Sequence, residues 1–297
     1  MADIVEKDEK TIKIDGRLVY LANPTDIPPC NFVSRSKELA YCETAWDIDI
    51  RQYKLGEGNN RPLHFRLQGP PGVGKNEIVY EIARRLKLPL YTFQGHEEVT
   101  PEDLSIHLIP DQPDYKAPHS NVIPLILRAS TLATAIYKGG LFFFDEINRV
   151  PERALSPLVS VLDDRLYIES AMTGLRIGPK DDETRKRFRF CCALNPGLGE
   201  VRSILPEYIE QRTLPVIEVD YFSLEDLLAI LKMNLQCPEG FLSAFQEWYN
   251  EEESQKISTR QAISLMAFAM RYYYKWYDRD LTESLILKTI APLIFRS

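Results

Sequence analysis

The stretch Gly69–Asn76 constrains this chain more than any other part of the sequence, because it reads Gly-Pro-Pro-Gly-Val-Gly-Lys-Asn. Glycines at such positions let backbone N–H groups turn inward around phosphate oxygens, and a helix N-terminus adds partial positive charge. A strand-like run at 63–67 precedes the stretch and a helical pattern at 78–86 follows it, as a phosphate-binding loop requires. The residues predicted to bind phosphates are Gly69, Pro70, Pro71, Gly72, Val73, Gly74, Lys75 and Asn76.

Two positions of this loop carry most of the expected chemistry. Lys75 is placed to reach the β- and γ-phosphates of a nucleotide. Asn76 stands where a Ser or Thr hydroxyl usually contacts Mg²⁺. Its amide oxygen can ligate a hard cation, but the side chain is bulkier than a hydroxyl. The sequence therefore predicts nucleotide binding and leaves slow turnover open.

A second motif lies farther along the chain, where an apolar run at 141–144 ends in Asp145 and Glu146. In phosphate-loop NTPases an acidic residue at the end of a neighbouring strand holds Mg²⁺. We assign that role to Asp145, with Asn76 as the second candidate ligand. Glu146 is the candidate general base that polarises the attacking water. Without the phosphate loop, a buried strand with a solvated acidic end would explain the same residues.

Strand-like and helical patterns alternate as far as residue 220, and only helical patterns follow. Such alternation predicts right-handed βαβ units and an α/β fold with a doubly wound parallel sheet, followed by an all-helical lid. The predicted domains are a lead-in at 1–30, a nucleotide-binding domain at 31–220 and a lid at 221–297. The strands are predicted at 63–67, 88–93, 141–144, 188–194 and 216–219. The helices are predicted at 32–47, 78–86, 125–137, 152–162, 224–235, 241–252, 259–277 and 281–290.

Two segments look like additions to this framework. Residues 95–124 form a polar, proline-containing insert, and residues 165–187 look like a hairpin with a charged tip. The basic residues of that tip are Lys180, Arg185, Lys186 and Arg187. Histidines of the first insert lack the spacing of metal ligands, so we expect them to be solvated. The aromatic cluster at 272–277 is expected to pack rather than to stack on bases.

Composition narrows the class of protein further. The net charge is −7, which argues against a nucleic-acid partner. No apolar run approaches the ~20 residues of a membrane helix, and the charged N-terminus lacks a signal-peptide core. The five cysteines show no ligand spacing. We expect a soluble protein without a membrane span, located in the reducing cytoplasm.

Together these motifs resemble those of AAA+ ATPases, specifically the MoxR-like group. Its relatives include CbbQ-, NorQ- and gas-vesicle-protein-N-like proteins and the dynein-related AAA+ subfamily. The resemblance covers roughly residues 32–275. It is carried by Gly69–Lys75, by the string Asp-Glu-Ile-Asn-Arg at 145–149 and by Leu-Asp-Asp-Arg at 162–165.

The resemblance implies roles for three further residues. Asn195, in Leu-Asn-Pro after an apolar strand, matches the sensor-1 position that orients water near the γ-phosphate. Arg212 matches the arginine finger that reaches a neighbouring subunit, although Glu210-Gln211 replaces the usual Leu-Asp and Arg202 is a rival. Arg260, in Ser-Thr-Arg, matches the sensor-2 arginine of the lid.

The resemblance also implies a function. It is a homo-oligomeric ring, expected to be a hexamer, that uses ATP and Mg²⁺ to remodel, activate or insert a cofactor into a client protein. The implied client carries a von Willebrand A domain. Two alternatives stay open, namely an ATP-binding assembly scaffold with little turnover, which Asn76 favours, and a nucleic-acid motor, which the negative charge opposes.

Overall fold

The computed structural model describes residues 4–6, 10–29, 32–46, 62–111, 124–196, 205–251, 256–276 and 282–295. The chain divides into two compact units, which we call the sheet unit and the helical unit. The sheet unit comprises Met1–Pro28, Leu39–Gln68 and Val79–Ile217. The helical unit comprises Pro29–Glu38, Gly69–Ile78 and Glu218–Ser297, so the phosphate loop groups with the C-terminal residues.

The described residues contain twelve strands and ten α-helices, numbered along the chain. The strands are β1 Ile4–Glu6, β2 Thr11–Ile14, β3 Arg17–Tyr20, β4 Phe65–Gln68, β5 Leu90–Gln94, β6 Ile106–Pro110, β7 Leu125–Ala129, β8 Leu141–Asp145, β9 Ile168–Glu169, β10 Arg176–Ile177, β11 Arg189–Leu194 and β12 Val216–Glu218. The helices are α1 Ser36–Trp46, α2 Lys75–Leu86, α3 Thr131–Lys138, α4 Leu158–Val161, α5 Asp182–Arg187, α6 Glu207–Glu210, α7 Leu224–Leu235, α8 Glu239–Glu251, α9 Thr259–Lys275 and α10 Glu283–Ile294.

Five strands form the central sheet in the order β12-β4-β11-β8-β5. Strand β11 pairs in parallel with both β4 and β8, and β8 pairs in parallel with β5. The apolar residues 141–144 of β8 are at most 1% exposed, as expected for a strand covered on both faces. The predicted α/β fold with a parallel sheet and C-terminal helices is confirmed.

The cysteine pair of the sequence lies within this sheet. Cys191 and Cys192 are both free thiols on β11, and neither is exposed. Burial raises the pKa of Cys192 to about 12, so the thiol stays protonated and unreactive at neutral pH. Both residues therefore pack within the sheet.

A second sheet has the order β1-β2-β3-β7-β6 and corrects one prediction. The lead-in at 1–30 was expected to be irregular or loosely paired, and in it β2 and β3 form an antiparallel pair and β3 runs parallel to β7. The helix expected at 125–137 is instead strand β7 followed by helix α3. Strand β7 pairs antiparallel with β6 across the insert, and the Ser130 side chain then caps α3 by accepting the N–H of Ala133.

The segment 165–187 is also organised differently from the prediction. Strands β9 and β10 form the expected antiparallel arms, with Arg176 opposite Glu169. The basic residues do not sit at the hairpin tip, because 182–187 forms the short helix α5 beyond the hairpin. Asp181 caps this helix by accepting the N–H of Thr184, which explains why the charged run is helical.

The helix expected at 152–162 is broken in two. A 3-10 helix at Glu152–Leu155 precedes the short helix α4. Pro157 lies between them and has no N–H to continue a helical hydrogen-bond ladder. The break is therefore caused by Pro157, which a prediction based on apolar periodicity does not take into account.

The helical unit ends in four helices, α7 to α10, which share one buried core. Its most buried members include Leu231, Phe245, Trp248, Leu265 and Leu287, all at most 3% exposed. The predicted bounds of α7 are confirmed, and Ser223 caps it by accepting the N–H of Asp226. Across the described ranges, no helix combines the length and the apolar character that crossing a bilayer requires.

Candidate functional site

The phosphate loop connects strand β4 to helix α2 and lies in the helical unit. Gly72 and Gly74 have φ angles of 77° and 91°, in the left-handed region that side chains disfavour. These two glycines allow the backbone to fold into a compact loop directly before α2. Backbone N–H groups at the start of α2 supply donors and partial positive charge for an anion.

Lys75 is the first residue of α2, and its side chain is 6% exposed. Its ammonium group donates to the carbonyl oxygens of Gly69 at 2.6 Å and Pro70 at 2.8 Å. The loop therefore holds the cation over its own backbone. Asn76 follows as the second residue of α2 and is half-buried.

The N-terminus of α9 lies against the same loop. A Cβ built on Gly72 would lie 3.0 Å from the Ser258 hydroxyl oxygen and 3.3 Å from the Arg260 Cβ. Ser258 caps α9 in a capping box with Gln261, which fixes the backbone that carries Arg260. The structure thus places the Cβ of Arg260 beside the phosphate loop.

In the sheet unit, strand β8 ends at Asp145 and is followed by a turn. Glu146 has a φ of 51°, an uncommon conformation for a residue with a side chain. The Asp145 Oδ1 accepts the N–H of Glu146 at 2.9 Å and thereby supports the turn. Residues held in such backbone conformations cluster at functional sites.

Three donors surround the Glu146 carboxylate. The Asn195 amide donates to Oε1 at 3.2 Å, and the Gln94 amide donates to Oε2 at 2.8 Å. The Arg149 Nε lies 3.3 Å from Oε2, but that side chain is 61% exposed. The two amides therefore define the position of the carboxylate more firmly than the arginine does, since exposed ion pairs contribute little.

Gly95 explains how β5 comes close enough to supply Gln94. Its N–H donates to the Asp145 carbonyl at 2.8 Å. A Cβ on this residue would lie 2.4 Å from the Glu146 carbonyl oxygen, a distance that no side chain tolerates. Only glycine permits this close approach of the two backbones.

Asn195 follows β11, the other neighbour of β8 in the sheet. Its carbonyl oxygen accepts the Asn148 amide at 3.3 Å. The structure therefore brings Asp145, Glu146 and Asn195 together. Sequence reasoning missed the contacts of Gln94, Asn148 and Arg149, although Gln94 directly follows the predicted strand 88–93 and pairs with Asp145 in the sheet.

Arg212 lies two residues after helix α6. Its Nη1 donates to the Tyr208 carbonyl at 2.9 Å. A hydrogen bond from Arg165 lowers the pKa of the Asp163 carboxyl, and the charge of Arg212 adds to this shift. Arg212 also lines a cavity of about 760 Å³ whose described lining includes neither Glu146 nor Asn195. Arg202, the rival arginine, lies outside the described residues.

Asp145 is a suitable protein ligand for a magnesium ion whose other ligands would be phosphate and water. Asp145 offers a carboxylate at the carboxyl end of β8, and Mg²⁺ in nucleotide sites usually takes one or two such ligands. In the described part of the chain, no cluster of three or more His, Cys, Asp or Glu residues could hold a metal. An all-protein metal cage is therefore not formed by these residues.

Comparison with known proteins identifies the family of this chain. Residues 64–212 match the family described as AAA domain (dynein-related subfamily). The chain is 27% identical over 202 residues to the denitrification regulatory protein NirQ of Pseudomonas aeruginosa, covering 67% of this chain and 69% of NirQ. It is 24% identical over 173 residues to protein NorQ of Paracoccus denitrificans, covering 58% of this chain and 57% of NorQ. These relatives support the MoxR-like group.

Solved structures agree on the fold. The RuvB Holliday junction branch migration motor of Thermotoga maritima matches with a TM-score of 0.54 and 17% identity, covering 87% of this chain and 69% of RuvB. NtrX from Brucella abortus in complex with ADP matches with a TM-score of 0.53 and 15% identity, covering 86% of this chain and 54% of NtrX. At these identities the likeness concerns the fold alone.

Proposed function

Because this chain belongs to the AAA domain family, in its dynein-related subfamily, we propose that it binds ATP with Mg²⁺ and hydrolyses it. The observation that carries this proposal is the Glu146 carboxylate, which is oriented by amides that follow or end the two strands flanking β8. A surface carboxylate that only keeps the protein soluble does not need hydrogen-bond donors held in place by neighbouring strands. The buried Lys75 in a glycine loop supports the same reading independently.

The phosphate loop is proposed to bind the phosphates through its N–H groups, Lys75 and Arg260. When bound, Mg²⁺ would neutralise phosphate charge, and Asp145 and Asn76 are its proposed protein ligands. A carboxylate has about four lone-pair positions, so Glu146 retains acceptor capacity beyond its amide donors. It is proposed to take the proton of the water that attacks the γ-phosphorus, giving ADP and inorganic phosphate. Asn195 is the proposed orienting residue.

We propose further that the protein acts as a homo-oligomeric ring, expected to be a hexamer, in the cytoplasm. Arg212 is the proposed arginine finger acting on a neighbouring subunit. The ring would remodel, activate or insert a cofactor into a client protein that carries a von Willebrand A domain. Support comes from the family and from the likeness to NirQ and NorQ.

One observation favours a second function. Asn76 replaces the hydroxyl that usually contacts Mg²⁺, so ATP could build an assembly without being hydrolysed at a useful rate. In that case the protein is a nucleotide-dependent scaffold. Single-turnover measurements distinguish the two, because a scaffold keeps its ATP intact after assembly.

The direct test compares Lys75→Ala and Glu146→Gln with the unchanged protein in calorimetric ATP binding and in phosphate release. Lys75→Ala should lose ATP binding, since a charge-assisted contact contributes about 1.5–3 kcal/mol. Glu146→Gln should retain binding and lose hydrolysis. Lys232→Ala, which removes a lysine that is 63% exposed, is the control for lost charge. Unchanged ATP affinity of Lys75→Ala would refute the phosphate-loop assignment.

A further inference from the structure

Arg35 is a buried arginine for which the sequence analysis found no role. It lies in the segment Pro29–Glu38 of the helical unit, directly before helix α1. Its side chain is only 8% exposed. Arginine is rarely buried to this extent unless it is paired, so its partners indicate what it does.

The guanidinium group of Arg35 donates to two backbone carbonyls and one carboxylate. Nη2 donates to the Val73 carbonyl oxygen at 3.0 Å and also to the Asp220 carbonyl oxygen. Nη1 donates to Glu38 Oε1 at 2.8 Å. One side chain thus ties the phosphate loop to two other segments of the helical unit.

The contact with Val73 has a direct consequence for the loop. The Val73 carbonyl and the Gly74 N–H belong to one planar trans peptide, so they point in opposite directions. Fixing the carbonyl on Arg35 therefore fixes the direction of the Gly74 N–H, away from the guanidinium. A cationic donor on the carbonyl also polarises the peptide and strengthens its N–H as a donor.

The Phe222 ring supports the same arrangement. The guanidinium carbon of Arg35 lies 3.8 Å from the ring centroid, within the range of a cation–π contact. A Cβ on Gly74 would lie 3.9 Å from Cε2 of the same ring. Phe222 therefore contacts the arginine and lies beside Gly74, whose N–H the arginine orients.

The backbone at Arg35 is held in an uncommon conformation. Ser34 and Arg35 have φ angles of 60° and 63°, both in the left-handed region although neither is glycine. Each such residue costs on the order of 1 kcal/mol or more, and such conformations concentrate where function requires them.

We propose that Arg35 is a positioning residue for phosphate binding, which holds the Val73–Gly74 peptide so that its N–H faces the phosphates. This inference rests on the proposed function, because it assumes that the loop binds a nucleotide. The proposed role of Arg35 concerns binding of the phosphates and not of the nucleobase. A loss of Arg35 should therefore weaken binding of ATP and of inorganic tripolyphosphate alike.

The test uses Arg35→Lys, which keeps the charge but loses the planar fork that serves several acceptors at once. The matched control is Arg84→Lys, because Arg84 likewise donates to a carbonyl, that of Pro28, and to a carboxylate, that of Glu81. Calorimetry measures binding of ATP and tripolyphosphate, and hydrogen exchange measures the amides of 69–76 in nucleotide-free protein. We expect roughly ten-fold weaker binding of both ligands and faster exchange for Arg35→Lys only.

Wild-type affinity and wild-type exchange in Arg35→Lys would overturn the inference, as would equal losses in both arginine variants. If Arg35→Lys does not fold, Phe222→Leu is the second variant, with a smaller loss of the same kind expected and no loss counting against the inference. If the unchanged protein fails to bind ATP, the proposed function fails. The exchange comparison then still decides whether Arg35 orders the loop.

Discussion

The side-chain amide of Asn195 lies 3.2 Å from Oε1 of Glu146 and donates a hydrogen bond to it. Asn195 follows β11 and Glu146 follows β8, which are neighbours in the central sheet. Gln94, at the end of β5 on the other side, donates to the second carboxylate oxygen at 2.8 Å. The candidate base is therefore oriented by the two strands that flank its own.

Gln94 should matter for hydrolysis and not for binding. Gln94→Leu removes the donor while keeping a similar size, and a base displaced by a fraction of an ångström reacts more slowly. We expect kcat to fall by about ten-fold or more, with ATP affinity unchanged. Arg149→Met, which removes the exposed donor to the same oxygen, should change kcat by less than about three-fold. Equal effects of the two variants would show that the amide has no special role.

Asn76→Thr tests the departure from the common loop. If the amide is a poor ligand of Mg²⁺, a hydroxyl at this position should raise turnover or lower the Mg²⁺ concentration required for half-maximal rate. Steady-state hydrolysis measured across a range of Mg²⁺ concentrations gives both quantities. Superimposable curves would mean that Asn76 serves as well as a hydroxyl.

Arg212 should act between subunits. An arginine finger contributes about 10³-fold or more to phosphoryl transfer, so Arg212→Ala should be nearly inactive alone. Mixing it with Glu146→Gln should restore some hydrolysis, because some subunit pairs then combine an intact Glu146 with an intact Arg212. The measurement is the hydrolysis rate of titrated mixtures, with assembly followed by light scattering. A fully active monomer would contradict a shared site.

His64 makes stability depend on pH. Burial, and secondarily the charge of Arg189, lowers the pKa of His64 from 6.5 to about 4. Between these values the unfolded chain binds the proton and the folded chain does not, so stability is lost as the pH falls. His64 is not fully buried, so solvent screens part of this effect, and we expect a loss of about 1–2 kcal/mol between pH 7 and pH 5. Urea unfolding of His64→Gln should show a shallower slope over this range, and an identical slope would reject the assignment.

Part of the candidate site could be predicted because its residues follow strands directly. Asp145, Glu146 and Asn195 lie at the carboxyl ends of two apolar runs, and parallel strands bring such ends to one edge of a sheet. The role of Arg35 could not be predicted, because its contact with Val73 joins residues far apart in the chain. A guanidinium that donates to backbone carbonyls requires no particular residue type at the acceptor position, because every residue has a carbonyl. The sequence therefore shows no pattern that indicates the contact.

The fold, like the site, could be predicted only in part from the sequence. The bounds of α7 were predictable because a capping serine precedes a long apolar periodicity. Strand β7 was not, because five residues rich in leucine and isoleucine directly before a helix look like its first turn. The strands β1 to β3 were missed for a related reason. Each is only three or four residues long and depends on pairing rather than on local preference.

The parallel pairing of Val19 with Leu127 and of Tyr20 with Arg128 makes the beginning of the chain a poor place to shorten the protein. A version that starts after residue 21 would lose β1, β2 and β3 together. It would leave β7 with an open edge, and such edges attract other chains. The buried residues Ile12, Ile14 and Val19 would vanish from the core as well. Removing residues 1–21 for expression is therefore expected to yield aggregates.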